Sequence, residues 1–169
     1  MEFEFRSTLP APVDTVWAAL EDIESVALCI PGVVRVTREA DDRYAGALRI
    51  KVGPIALELG GLVTVELLDA ATRTLRFLGE AKDRRVPGQI KSRATLIVTE
   101  HPDGSELYLH SDTHILGKLG EFGQPVVRKK TEHVLREFTE NLGQRLGETG
   151  AAPDANANST HSASTQGDQ

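Results

Sequence analysis

The chain has one cysteine, Cys29, in 169 residues. That excludes an intrachain disulfide and any metal site built from several thiolates. It also lacks a basic surplus. Its formal net charge of -6 favours solubility and argues against a nucleic-acid partner bound through a basic surface. No apolar run is long enough to span a bilayer. No basic-then-apolar leader opens the chain, because Met1-Glu2-Phe3-Glu4-Phe5 already alternates like a strand. The G-x-S-x-G, P-loop and dinucleotide-binding patterns are all missing. Gly60-Gly61 is not a phosphate loop, since no helix pattern follows it. No internal repeat is visible. The expectation is one cytosolic domain with a real core and no metal.

What is present is mostly strand, followed by one long helix. Phe3, Phe5 and Leu9 alternate with charged residues as in a half-buried strand. Pro10 ends it. Ala11-Pro12 opens a helix carrying Val13, Val16, Trp17 and Leu20 on one face, and a second short helix runs from Ile23 to Cys29 until Pro31-Gly32 stops it. Strands follow over residues 33–39, 43–52, 55–67, 73–82, 89–100 and 105–115. In the third of these Ile55, Leu57, Leu59, Val63, Val65 and Leu67 share one phase, and Gly60-Gly61 reads as a bend or bulge. Then comes a glycine-rich lead-in, Gly117 to Gly123, and a helix with Val127, Val134, Leu135, Phe138, Leu142 and Leu146 on one face. Pro125 suits its first turn. Residues 1–148 form the expected domain. Residues 149–169 are polar, without Lys, Arg or a large apolar side chain, and are expected to stay disordered.

The economical arrangement is α+β: a curved antiparallel sheet of about seven strands wrapped on the long C-terminal helix, with two short helices after the first strand. Turns in a meander alternate between the ends of the sheet. The connections holding Pro31, Gly32, Gly53, Pro54, Arg84, Arg85, Gly117, Lys118, Gly120 and Gly123 therefore gather at one rim, a candidate gate and membrane-facing edge. The apolar face above it draws Leu57, Leu59, Phe77, Leu107 and Leu109 from the strands and Val126, Val127, Val134 and Leu135 from the helix, with Leu119 and Phe122 from the lead-in. These residues either fill a solid core or line a cavity. No ionisable residue lies in the inward phase of the central strands, which suits an apolar ligand.

Several stretches together resemble one family. They are Pro10-Ala11-Pro12-Val13-Asp14-Thr15-Val16-Trp17, Cys29-Ile30-Pro31-Gly32-Val33, Val52-Gly53-Pro54-Ile55, Gly117-Lys118-Leu119-Gly120-Glu121-Phe122-Gly123, and Arg136-Glu137-Phe138-Thr139-Glu140-Asn141-Leu142. The chain resembles the carbon monoxide dehydrogenase CoxG family of the START/Bet v1-like helix-grip superfamily. The resemblance implies a helix-grip fold with an apolar cavity. It also implies a non-enzymatic accessory protein of a molybdenum hydroxylase such as carbon monoxide dehydrogenase. Such a protein is peripherally held at the inner face of the cytoplasmic membrane and binds a lipid quinone, menaquinone-like. The alternative is a ligand-free docking protein that recruits the dehydrogenase to the membrane. Two features depart from the family. Pro125 falls where a relative's helix is already under way, so the helix starts or kinks there. The polar tail is also unsuited to anchoring.

Three further features are read plainly. Lys118, Arg84, Arg85 and Arg128-Lys129-Lys130 are basic residues around Leu119 and Phe122, suited either to an anionic membrane or to a solvated helix with core-anchoring apolar residues. His110-x-Asp112-x-His114 is out of phase with Leu107, Leu109 and Ile115 and reads as a surface strand rather than a metal site. Cys29, with no identifiable His partner, reads as a small buried residue.

Overall fold

The computed structural model describes residues 1–155, with side chains through residue 147. Strand β1 (Glu2–Leu9) leads into helices α1 (Val13–Glu21) and α2 (Ile23–Ala27). Strands β2 (Val33–Ala40), β3 (Arg43–Val52), β4 (Ile55–Asp69), β5 (Thr74–Asp83), β6 (Gly88–His101) and β7 (Gly104–Gly117) follow. A single 3-10 turn (Lys118–Phe122) then leads into α3 (Gln124–Ala155). The expected boundary at 148 falls within α3, and residues 156–169 of the expected tail lie outside the described residues.

Helix α1 buries Val13, Val16, Trp17 and Leu20, a spacing that puts all four on one face. The Asp22 side chain accepts from Ser25 N at 3.3 Å and caps α2. The seven strands form one antiparallel sheet in the order β1-β7-β6-β5-β4-β3-β2. Strands β2 to β7 are a meander. The first strand of the chain lies against the last, with Phe5 opposite Leu109. Helix α3 lies against the inner face, so the sheet curls around one long helix, the helix-grip arrangement.

Two local readings of β4 are corrected by the pairing. Gly60-Gly61 holds no bulge, because residues 59–65 pair with β5 in unbroken register. Gly61 is needed for another reason: a Cβ there would sit 2.1 Å from the Glu80 carbonyl oxygen. The bulge lies further on. Val65 faces Phe77 but Leu67 faces Arg76, so Glu66 is the extra residue. One inserted residue reverses the alternation, so that Leu68 rather than Leu67 stands opposite buried Leu75, and at this end of the strand both leucines are exposed.

The main core gathers Leu9, Val16, Trp17 and Leu20 with Leu75, Leu96, Val98, Leu107 and Leu142, and Leu135, Phe138 and Leu146 pack against it. A second, smaller cluster holds Val52, Leu57 and Leu119. Helix α3 is tied down over its C-terminal half. Leu142 is fully buried. Asn141 Nδ2 donates to the Cys29 carbonyl at 2.9 Å, and the Arg145 guanidinium donates to Ser25 O at 2.6 Å and Ser25 Oγ at 2.9 Å. At the other end, the helix starts rather than kinks at the proline. Pro125 is its second residue, and the Gly123 carbonyl accepts from Val127 N at 3.2 Å. Truncating Leu142 to Ala is expected to cost about 2–5 kcal/mol, read as a lower urea midpoint at unchanged slope.

Candidate functional site

The main core fills only part of the space between sheet and helix. Beside it lies a cavity of about 430 Å³ with an almost wholly apolar lining, within the range of about 300–1,000 Å³ usual for small-molecule sites. The register explains why space is left. One rank across the concave face runs Tyr44, Val63, Gly79, Ser92, Thr113, and the next runs Gly46, Gly61, Ala81, Ile90, Ile115. Gly46, Gly61, Gly79 and Ala81 carry at most a methyl group, so the middle of the sheet cannot reach the helix. A Cβ at Gly79 would meet nothing nearer than Ser92 O at 3.9 Å. The roof is Val134, Leu135 and Phe138 of α3, and the side wall is Ile23, Val26, Ala27 and Ile30 around α2.

Of the residues expected to line such a space, Leu59, Phe77, Leu109, Val134 and Leu135 do so together. The others lie elsewhere. Leu107 is inside the main core, and Leu57 and Leu119 form the second cluster, with Phe122 packed against it. Val126 is 45% exposed and Val127 is half-buried outside the lining. Strand phase identifies a face, not a depth along it, so residues two apart in one phase divide between cavity and core. The glycine and alanine floor, the α2 wall, Tyr44 and Ser92 were missed. The floor could have been found by continuing the Leu75–Phe77 alternation to Gly79 and Ala81.

Arg35 and Glu80 also border the cavity; Ala47, the strand partner of Arg35, is buried and lines it too, whereas Lys91, the partner of Glu80, is exposed. The Glu80 carboxylate is 3.4 Å from Lys91 Nζ. A second depression of similar volume adjoins the first, sharing Ile23, Tyr44 and Val65, and is bordered by Glu21, Asp22, Asp41 and Asp42. Tyr44 therefore stands at the cavity's edge.

The glycine- and proline-bearing connections meet at one end of the sheet. Gly53-Pro54 closes the β3–β4 hairpin, and Arg49 N donates to Gly32 O, next to Pro31, at 2.9 Å. Arg85 Nη2 donates to Ala56 O at 3.3 Å, and Leu119 N donates to Pro87 O at 3.3 Å. Gly88 faces Gly117, both with positive φ, so closely that a Cβ on Gly117 would be 2.7 Å from Gly88 Cα. Of the two readings of Leu119, the core-anchoring one is found: it is 1% exposed and anchors the turn that contains Lys118 and Gly120. Gly123, at φ 85, turns the chain into α3. The exposed apolar side chains at this end are Ile55, Leu116 and Val126. Arg84, Lys118 and Lys129 are exposed and make no ion pair with a carboxylate among the described residues.

Asp83 holds the rim together. It is the last residue of β5 and is buried. Its Oδ1 accepts from Arg85 N at 2.7 Å and Val86 N at 2.8 Å, and its Oδ2 accepts from Glu58 N at 2.7 Å. The Val86 N–H holds the carboxyl below its ordinary value against the opposing effect of burial. The Arg85 and Glu58 N–H groups and the Arg85 charge add to the lowering.

His110 and His114 lie on the outer face, 3.7 Å from Glu2 and 3.4 Å from Asp112. Cys29 is buried in the main core. No helix among the described residues is long and apolar enough to cross a membrane.

The model of the carbon monoxide dehydrogenase CoxG family matches residues 7–147. No curated protein matches the chain. Several solved structures share the fold. A conserved protein from Geobacillus kaustophilus is 17% identical with a TM-score of 0.76, over 88% of this chain and 95% of that one. A START superfamily protein from Mycobacterium smegmatis is 12% identical with a TM-score of 0.67, over 88% and 98%. The Zhui aromatase/cyclase from Streptomyces sp. R1128 is 16% identical with a TM-score of 0.58, over 95% and 99%.

Asp83→Asn leaves one acceptor oxygen and is expected to cost about 1–3 kcal/mol near neutral pH. Because the folded carboxyl is held below its unfolded value, its contribution is complete above about pH 4 and is lost as pH falls through the folded value. Urea titrations at a series of pH values should show wild type and variant converging in acid.

Proposed function

The chain belongs to the carbon monoxide dehydrogenase CoxG family; from that premise we propose a non-enzymatic accessory protein. It carries a lipid quinone, menaquinone-like, between the cytoplasmic membrane and a molybdenum hydroxylase such as carbon monoxide dehydrogenase. The observation that carries this reading is the apolar cavity of about 430 Å³ beneath α3. An isoprenoid chain leaving a bilayer needs a substitute for its hydrocarbon surroundings, and apolar burial contributes roughly 25 cal/mol per Å². A ligand-free docking protein needs no such space. The lining, as described, offers no inward His, Asp or Glu pair for acid–base work, which supports binding over catalysis despite the aromatase/cyclase relative.

Membrane contact is assigned to the rim. Arg84, Lys118 and Lys129 supply positive charge without a carboxylate partner among the described residues, and Ile55, Leu116 and Val126 supply exposed apolar surface at the same end. Bases around apolar side chains suit the headgroup zone of an anionic leaflet. In this reading the Gly117–Gly123 segment is the gate. Opening it withdraws Leu119 from Val52 and Leu57, at a cost of about 1.5–3 kcal/mol. The gate is therefore closed at rest and opened by differential affinity for the membrane.

Solvent extraction of purified protein, followed by mass spectrometry, is expected to release a quinone. Gly79→Leu, which fills the cavity floor, should release none; wild type that never yields a lipid or quinone from membrane-containing lysates would contradict the reading. Flotation with anionic vesicles tests the rim. Removing both Arg84 and Lys118 as alanines should weaken partition about thirtyfold, at roughly 1 kcal/mol per charge. Neutral vesicles should bind poorly.

A further inference from the structure

The mostly apolar cavity wall carries an inward hydroxyl pair near its middle. Ser92 Oγ lies 2.8 Å from Thr113 Oγ1, on the concave face between β6 and β7. Ser92 lines the cavity and Thr113 stands behind it. The two hydroxyls hold two protons between them, and their mutual bond uses one. Neither makes another side-chain hydrogen bond among the described residues. Both side chains are only partly buried, so the remaining O–H is available to an acceptor placed in the cavity. If Thr113 donates to Ser92, the spare proton belongs to Ser92 and faces the cavity.

The neighbouring position is open. Gly79 is the cross-strand partner of Ser92, and nothing occupies the space where its side chain would be. Small residues extend that gap across the sheet as far as Gly61 and Gly46. The result is a shallow, flat-floored slot with a single hydroxyl donor beside it. A planar ring fits such a slot, and a carbonyl oxygen on its edge meets the donor.

We propose that Ser92, set by Thr113, is the specificity-determining residue that donates to a ring carbonyl of the ligand, with the ring seated over Gly79. The ligand class is a flat carbonyl-bearing ring on an apolar tail. The assignment rests on the quinone reading above and adds which end of the ligand is held, and where. Tyr44, the other hydroxyl on the lining, is at the cavity's edge beside Glu21, Asp22 and Asp42.

Equilibrium dialysis with two probes tests it: dimethylnaphthoquinone, and dimethylnaphthalene, which keeps the ring but lacks the carbonyls. Wild type should prefer the quinone. Ser92→Ala should weaken the quinone by about three- to tenfold, the range of one net hydrogen bond, and leave the hydrocarbon unchanged. Ser92→Thr, which keeps the hydroxyl, should retain the preference. If wild type prefers the quinone but Ser92→Ala weakens both probes alike or neither, the Ser92 assignment fails while quinone binding stands. A loss of preference in Tyr44→Phe alone also overturns it. If wild type binds neither ring, the quinone reading fails and takes this assignment with it.

Discussion

The structure depends on a mismatch between a long helix and the sheet that holds it. Where sheet and helix both present large side chains, they meet: Leu142 of α3 shares a core with Leu9, Leu96 and Leu107. Where the sheet presents Gly46, Gly61, Gly79 and Ala81, it cannot reach Val134, Leu135 and Phe138, and a cavity remains. Protein interiors are otherwise packed to crystal density. A gap of this size forfeits dispersion contacts on every wall. The filled core at the other end of α3 carries the stability that the gap forgoes, so fold and site occupy different parts of one helix.

The rim is the second consequence of the same topology. An antiparallel meander sends every other connection to one end. There Asp83 uses both carboxylate oxygens to fix the 84–87 loop against β4, and Leu119 closes the lead-in over Val52 and Leu57. The buried carboxylate and the buried leucine hold neighbouring loops in different ways. The first is directional and tied to ionisation. The second is non-directional and can be withdrawn at a modest cost. A rim that must be both fixed and able to part benefits from having each.

The strands, the long helix and the gathering of the glycine-rich connections at one end were legible in the sequence, because periods of two and of three to four survive in any alternating or amphipathic run. Pro125 marked the start of α3 correctly. The pairing of β1 with β7 was not legible, since no local pattern records which distant strand is a neighbour. Glu66 was hidden because one inserted residue leaves no mark on composition, and it set Leu68 rather than Leu67 opposite Leu75. The cavity floor was hidden for a different reason. It is made of side chains that are absent, and glycines in a strand read as bends. Leu57 and Leu59 share a phase and both touch the second cluster, yet only Leu59 also borders the cavity, because phase says nothing about position along the strand.

Helix α3 is fastened unevenly. Leu142, Asn141 and Arg145 hold its C-terminal half to the core and to α2, whereas its first turn follows directly from Gly123. The span from Gln124 to Leu142 is roughly 27 Å at 1.5 Å per residue. Mechanically this is a beam over a hollow, clamped along its C-terminal half and tied at its first turn, through Gly123, to the lead-in that buried Leu119 anchors. Its two supports differ in strength, so withdrawal of the single leucine would turn the beam into a lever with its fulcrum at the main core.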